Sequence, residues 1–213
     1  MPDNFINNKP LKIALILSII TIVYNVAEGI VSIIFGINDQ TLALLGFGVD
    51  SFVEVISGIG ILHMIIRLKK SSSENKDKFE RTALKITGLG FYILTAGLVI
   101  GSIINIFEKN NPSTTLVGIV VSGISIITMY LLMKAKFRVG KTLNSDAIIA
   151  DAHCTKTCFN LSVILLLSSV LYEISSIGYF DILGSLGIAY YSFIEGKESF
   201  EKAENNKLSC TCS

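Results

Sequence analysis

Two pairs of residues in this sequence have the types and the spacing of metal ligands. Asp50 and Glu54 lie four residues apart in one apolar segment, and Cys154 and Cys158 lie four residues apart in another. In a helix, this spacing places both members of a pair on the same face, about one turn apart. Two thiolates and two carboxylates supply four ligands, the number that a tetrahedral metal site needs. We therefore predict that Asp50, Glu54, Cys154 and Cys158 bind one metal ion between two facing helices.

Further polar side chains interrupt the apolar segments. An ionisable group inside a bilayer is costly, so each such position is a functional hypothesis. Asp151 lies on the same helical stripe as Cys154 and Cys158, whereas His153 points roughly 100° to the side. Asp151 and His153 are candidates for additional metal ligands or for steps of a proton path. The same two roles are open to Asn25, Glu28 and Asp181, and a purely structural role is equally open to Glu28 and Asp181.

Other interpretations of both pairs stay open. Asp50 and Glu54 could form an ion pair with Lys156, and buried cysteines are usually small apolar residues without chemistry. A membrane thiol-disulfide oxidoreductase could use the Cys154/Cys158 pair, although redox pairs usually have the spacing Cys-x-x-Cys at an accessible edge. A metal-sensing membrane protein that transports nothing would need the same ligands but no path through the bilayer.

A second cysteine pair lies near the end of the sequence. Cys210 and Cys212 form a Cys-x-Cys motif in a short polar segment. We expect this segment to face a reducing compartment, where a disulfide is disfavoured. Two interpretations stay open for the motif, namely capture of metal ions from solution and no role.

The segments that carry these residues are membrane spans. Hydrophobic residues make up 51% of the 213 residues and charged residues 16%, which excludes a soluble enzyme, a disordered chain and a disulfide scaffold. A span needs about 20 apolar residues. Six such segments cover residues 11–35, 42–66, 83–107, 116–133, 147–174 and 177–194. We therefore predict an all-α integral membrane protein with six transmembrane helices.

The basic residues indicate the orientation of these helices. Of the 18 Lys and Arg residues, Lys109 lies on one side and Lys156 within the fifth segment, which leaves 16 on the other side. Basic residues concentrate on the cytoplasmic side of membrane proteins, so we expect both termini to be cytoplasmic. A formal net charge of +1 gives no reason to expect a nucleic-acid partner.

The residues around both pairs resemble those of the cation diffusion facilitators, six-helix exporters of divalent metal whose site lies between helices 2 and 5. Residues 42–54 are similar to the helix 2 signature of that family, in which Asp-Ser-x-x-Asp supplies two ligands, with Glu54 in place of the second Asp. Residues 150–158 resemble its pattern Ala-Asp-Ala-x-His-x-x-x-Asp, with Cys154 at the His position and Cys158 at the Asp position. Asp181 matches a recurrent acid of the family near the start of helix 6.

This resemblance implies what the chain does. It implies that the chain is no enzyme but exports a divalent heavy metal, Zn²⁺ or Cd²⁺ first, across the cytoplasmic membrane, and so confers metal resistance. The two thiols favour soft or borderline ions over Mg²⁺, Ca²⁺ and Mn²⁺. Metal binding must displace protons from thiols and paired carboxylates, which favours antiport with protons. The metal ion is the substrate, no prosthetic group is expected, the lipid bilayer surrounds the chain, and a homodimer stays open.

The predicted domain organisation is simple. Residues 1–196 form the six-helix transmembrane cation-efflux domain, and residues 197–213 form a short cytoplasmic tail with the Cys-x-Cys motif. We expect the cytoplasmic domain that is common after helix 6 in the family to be absent, so that the chain is a short variant.

Overall fold

The computed structural model describes residues 9–68, 76–108, 111–143 and 146–204, and it confirms the all-α class with six long helices. Within these residues there is no strand. The helices are α1 (Lys9–Asn38), α2 (Leu42–Leu68), α3 (Lys76–Glu108), α4 (Leu116–Leu143), α5 (Asp146–Ser175) and α6 (Tyr179–Glu204). Among the described residues, five stretches, within α1 to α5, are long and apolar enough to cross a membrane.

Three helices extend well beyond the segments predicted for them: α3 begins at Lys76 instead of residue 83, α4 continues to Leu143 instead of residue 133, and α6 continues to Glu204 instead of residue 194. The basic residues after position 133 therefore belong to an amphipathic part of α4. Lys136 and Val139 are buried, and they continue the buried stripe that contains Met129 and Leu132. The exposed basic residues of this part are Lys134, Arg138 and Lys141.

Two of the connections turn through a residue with a positive φ angle. Gln40 follows α1 with φ of 55°, and Ser176 follows α5 with φ of 54°. A left-handed residue reverses the chain within a few positions. The short connection between the fifth and sixth predicted segments is therefore real, and α5 and α6 are separate helices that pack against each other.

The six helices form one bundle. The most extensive pairings are α1 with α2, α3 with α6, and α4 with α5, and α2 also packs against α3, α5 and α6. We name the two ends of the bundle by their connections. The terminal end is where α1 begins and α6 ends, and the turn end is where residues 39–41 and 176–178 connect helices.

Burial in this bundle is reversed relative to a soluble protein. The buried face of α1 contains Ser18, Thr21, Asn25, Glu28 and Ser32, among others. Large apolar side chains point outward, and they include Ile16, Ile20, Val23, Ile30 and Ile34 from the same helix. Such an exposed apolar surface suits a lipid environment, where small and polar residues mediate the contacts between helices.

Candidate metal centre

The centre of the bundle is built on a close approach of α1 to α2. Gly36 packs against the backbone of α2, where a Cβ atom would lie 2.6 Å from the amide nitrogen of Leu45. Gly48 packs against α1 in the same way, with a hypothetical Cβ atom 2.8 Å from Cβ of Ser32. Small residues allow this approach, which brings the polar faces of the two helices into direct contact.

Glu54 and Cys158 meet between α2 and α5. The Cys158 thiol donates a hydrogen bond to Oε2 of Glu54, and the same oxygen accepts a bond of 3.1 Å from the side-chain amide of Asn25 in α1. Cys158 is 4% exposed. One carboxylate from the first predicted pair and one thiol from the second therefore share one buried location.

Asp50 and Cys154 lie about one turn from this contact along their helices. Asp50 is 2% exposed, and its Oδ1 atom accepts no hydrogen bond within the described part of the chain. Its carboxyl group is close enough to those of Glu54 and Glu28 for electrostatic interaction. Cys154 is half-buried, and within the described residues neither Cys154 nor Cys158 forms a disulfide.

The four predicted ligands are thus neighbours, but they do not surround a single point. Among the described residues, no three His, Cys, Asp or Glu side chains converge at distances suited to an ion. Two of the four predicted metal ligands, Cys158 and Glu54, are hydrogen-bonded to each other. To hold an ion, the thiol would lose its proton and the side chains of Asp50 and Cys154 would turn toward the same point.

Glu28 extends the polar centre along α1. Its Oε1 atom accepts a hydrogen bond of 2.9 Å from the hydroxyl of Tyr24, and its Oε2 atom accepts one of 3.3 Å from Ser51 in α2. Glu28 is 7% exposed. Because Ser51 follows Asp50 directly, this network connects α1 to the helix that carries both predicted carboxylate ligands.

A buried lysine in the extended part of α4 lies close to the centre. Lys136 of α4 is 1% exposed and forms an ion pair of 2.9 Å with Asp151 of α5. Its Nζ atom also donates a bond of 2.9 Å to the hydroxyl of Thr155. The charge of Lys136 acts on Glu54. Lys156, the base considered as a partner for the carboxylates, is exposed.

The two remaining candidates on α5 have partners of their own. Asp151 forms the ion pair just described, so a role as a metal ligand would require this pair to open. His153 packs edge-on against the ring of Phe137 in α4, with 5.0 Å between the ring centroids. Both residues face α4, whereas Cys158 contacts Glu54 of α2.

Asp181 lies at the turn end, away from the two cysteines. Its two carboxylate oxygens accept hydrogen bonds from the backbone amides of Leu42 and Ala43, at 2.8 and 3.2 Å. These amides belong to the first turn of α2, whose donors have no partner within the helix. Asp181 therefore caps α2, and eight residues, or roughly 12 Å of helix, separate this cap from Asp50.

A layer of apolar side chains lies between the metal centre and that cap. Leu44, Phe47, Leu161 and Leu165 are each at most 1% exposed and pack in one cluster. They come from α2 and α5, the two helices of the centre. In this conformation the centre is closed toward the turn end.

One acidic residue of the centre was missed by the sequence analysis. Glu195 of α6 accepts a hydrogen bond of 2.7 Å from Thr157 of α5, and its charge acts on Asp50 and Glu54. Its proximity to the charged end of α6 made it look like a solvent-facing residue. The spacing of Ile188, Ser192, Glu195 and Ser199 is the signal that places it on the inner face of the helix.

The tail motif lies outside the described residues, and so do residues 205–213 as a whole. The structure therefore contains no information on the surroundings of Cys210 and Cys212. Their role stays a prediction.

Comparison with known proteins agrees with this architecture. The model of the cation efflux transmembrane domain matches residues 14–203. An uncharacterized transporter of Methanocaldococcus jannaschii is 27% identical over 177 residues, which cover 80% of this chain but only 62% of the relative. The family match includes all six helices, although it leaves out the first residues of α1 and the last residue of α6. The chain therefore belongs to the cation efflux family, whose members carry metal cations across membranes.

Proposed function

We propose that this protein exports Zn²⁺ or Cd²⁺ from the cytoplasm across the cytoplasmic membrane in exchange for protons. The ion is held by Asp50, Glu54, Cys154 and Cys158. The observation that carries this proposal is the contact between half-buried Glu54 and buried Cys158. It brings a carboxylate of α2 and a thiol of α5 together at the centre of a bundle whose family transports metal cations.

The donor set supports a soft or borderline ion. Thiolates favour Zn²⁺, Cd²⁺ and Cu⁺, while Mg²⁺ and Ca²⁺ prefer oxygen ligands. The carboxylates of Asp50, Glu54 and Glu28 repel one another, and such repulsion is relieved by a proton or by a cation. A divalent ion that enters would replace protons that hold the empty site together.

The same arrangement supports alternating access. The apolar layer of Leu44, Phe47, Leu161 and Leu165 separates the centre from the turn end. For an ion to leave there, α2 and α5 must move apart across this layer, while the terminal end closes. At the turn end the metal ion would leave and protons would bind, and at the terminal end those protons would leave as the next metal ion binds, which is antiport.

The remaining aspects of the proposal concern the setting of the protein. Both termini lie in the cytoplasm, residues 1–196 are the transport unit and residues 197–213 are a tail that captures metal at most. The protein catalyses no reaction and needs no prosthetic group. A homodimer is compatible with this arrangement.

Transport by purified protein in proteoliposomes tests the substrate. Vesicles that contain a metal-sensitive dye should respond to Zn²⁺ and Cd²⁺, and much less to Mn²⁺ and Mg²⁺. Empty vesicles serve as the control for leakage. Robust Mn²⁺ or Mg²⁺ transport without a response to Zn²⁺ or Cd²⁺ would rule out the proposed selectivity.

Proton coupling is tested in the same vesicles with an imposed pH gradient and a clamped membrane potential. Metal should accumulate on the side from which protons leave, and reversing the gradient should reverse the accumulation. If the rate of metal transport and the final metal accumulation do not depend on the pH gradient, the protein is a uniporter driven by the membrane potential, or a sensor with slow leakage.

A further inference from the structure

We propose that Glu195 of α6 is an additional ligand for the transported divalent cation, so that the site includes three helices. This inference rests on the function proposed above and extends its site beyond α2 and α5. It is carried by the register of α6 against both of these helices, by the contact between Glu195 and Thr157, and by the buried carboxylate of Asp50.

The alignment of α6 along α2 and α5 can be read at one glycine, Gly184. A Cβ atom on Gly184 of α6 would lie 2.5 Å from Cβ of Ser168 in α5 and 3.2 Å from Cβ of Ala43 in α2. The three helices therefore meet at Gly184. Because Asp181 caps the first turn of α2, α2 and α6 start at the same end and run in the same direction.

Counting from this junction places Glu195 at the height of the metal centre. Glu54 lies eleven residues after Ala43, and Glu195 lies eleven residues after Gly184. In the antiparallel α5, Thr157 lies eleven residues before Ser168, and its hydroxyl donates the 2.7 Å bond to Oε1 of Glu195. The two independent counts agree, so Glu54 and Glu195 share one level of the bundle.

The side chains at this level point to a cation. Thr157 and Cys158 are adjacent in α5, and they contact Glu195 and Glu54 respectively. Cys154 lies one turn toward the terminal end, on the part of α5 between the directions of these two contacts. No three of these side chains converge on one point within the described residues, so a cation that binds here would draw the carboxylates of α2 and α6 and a thiol of α5 toward itself.

Asp50 supplies a second observation that points to an ion. Only 2% of Asp50 is exposed, and its Oδ1 atom accepts no hydrogen bond from the described residues. The carboxyl groups of Glu54, Glu195 and Glu28 all act on it electrostatically. The hydroxyl of Ser192 in α6 is also a polar neighbour of this carboxyl group. A buried carboxylate that lies among other carboxylates is stabilised by a proton or a cation.

Binding of Cd²⁺ to the purified full-length protein tests this inference. Glu195→Gln should lower the affinity for Cd²⁺ at least tenfold, because the loss of even an indirect partner of a metal ligand costs about 10-fold to 100-fold. Glu195→Asp should restore part of the loss. Glu201→Gln is the matched control, because Glu201 lies on the same helix with an exposed side chain, and it should bind like the wild type.

A spectroscopic variant separates a ligand from a residue that only supports the fold. Glu195→Cys should increase the ultraviolet absorption of Cd²⁺-thiolate charge transfer, and Glu201→Cys should not. Wild-type affinity in Glu195→Gln, or an unchanged absorption band in Glu195→Cys, would overturn the assignment of Glu195 while the proposed function stands. If the wild-type protein itself binds no Cd²⁺, the proposed function fails and this inference fails with it.

Discussion

Inside this apolar bundle, a thiol of α5 forms a hydrogen bond with a carboxylate of α2. Cys158 and Glu54 are held together by a proton, and the Asn25 amide fixes the carboxylate from α1. Removing that proton leaves two negative groups that a soft cation can bridge. In the proposed function, the same two side chains therefore serve the empty and the occupied site.

The first prediction concerns the thiols. Cys154→Ser and Cys158→Ser should each lower Zn²⁺ transport in proteoliposomes at least about tenfold, because a hydroxyl is a poor substitute for a thiolate ligand. Both variants should remain folded, since serine is close to cysteine in size. Cys210→Ser and Cys212→Ser are matched controls that should transport like the wild type. Wild-type rates in both Cys154→Ser and Cys158→Ser would mean that these thiols only pack.

The second prediction concerns selectivity. The variant Cys154→His with Cys158→Asp should weaken transport of Cd²⁺ more than that of Zn²⁺, because both new ligands are harder than thiolate. The measurement is the ratio of the apparent affinities for the two ions in one set of vesicles. An unchanged ratio would show that the thiols do not determine the choice of metal.

At the scale of helices, a buried ion pair joins α4 to α5 beside the metal centre. Lys136 and Asp151 are both on inner faces, with side chains 1% and 10% exposed. Taking two charges out of water is costly, and removing one partner leaves the other uncompensated. This pair therefore fixes the position of the terminal half of α5, which carries Cys154.

The third prediction follows from this pair. Lys136→Met should lower the free energy of unfolding by about 3–5 kcal/mol, because Asp151 would stay buried without its cation. Adding Asp151→Leu to Lys136→Met should recover much of the loss. Lys197→Met is the control: its partner Glu201 lies 3.7 Å away and both side chains are exposed, so the cost should be below about 1 kcal/mol. Denaturant titration in detergent measures these values, and a double variant as unstable as Lys136→Met would contradict the account of the pair.

The fourth prediction concerns the junction of α2, α5 and α6. Gly184→Ala should destabilise the fold by about 1–3 kcal/mol, the usual cost of overpacking, because the new Cβ atom would overlap Ser168. Gly97→Ala in α3 is the control, since no atom lies within 4 Å of the corresponding position. Thermal unfolding of both variants in detergent compares them. Equal stability of the two would show that the junction tolerates a wider spacing.

The sequence predicts the number of helices better than it predicts where each helix ends. Apolar length alone correctly predicts six helices, and the charged islands between them separate most of the spans. The same criterion fails for α4, because a loss of apolar character at Lys134 and Lys136 looks like a loop. The periodic burial of Met129, Leu132 and Lys136 shows that an amphipathic helix continues there, and this period was readable in the sequence.

At the scale of the whole molecule, the architecture consists of a polar interior within an apolar surface. Exposed isoleucines on α1, such as Ile16 and Ile20, face outward, while Ser18 and Thr21 lie inside. In lipid, apolar contact provides little net drive for helices to associate, so small side chains and internal hydrogen bonds hold the bundle together. A bundle of this kind can place carboxylates at its centre.

The proposed site could be predicted from the sequence only in part. The proposed ligands Asp50, Glu54, Cys154 and Cys158 were recognisable because the members of each pair lie four residues apart in one helix. Glu195, the ligand that we propose in α6, was not predicted because its neighbours on α2 and α5 lie far away in the chain. Only the three-dimensional register of α6 brings it to the same level. For the same reason, the position of Asp181 on the first turn of α2 could not be read from α6 alone.

X-ray absorption spectroscopy of the Zn²⁺-loaded protein tests the central claim most directly, because it identifies the atoms bound to the metal. The sample should carry Cys210→Ser and Cys212→Ser, so that Cys154 and Cys158 are the remaining thiols. We predict zinc–sulfur distances of about 2.3 Å together with oxygen ligands, and loss of the sulfur signal when Cys154→Ser and Cys158→Ser are added. A fully occupied site with only oxygen or nitrogen ligands would contradict the claim that the ion binds between α2 and α5 through these thiols.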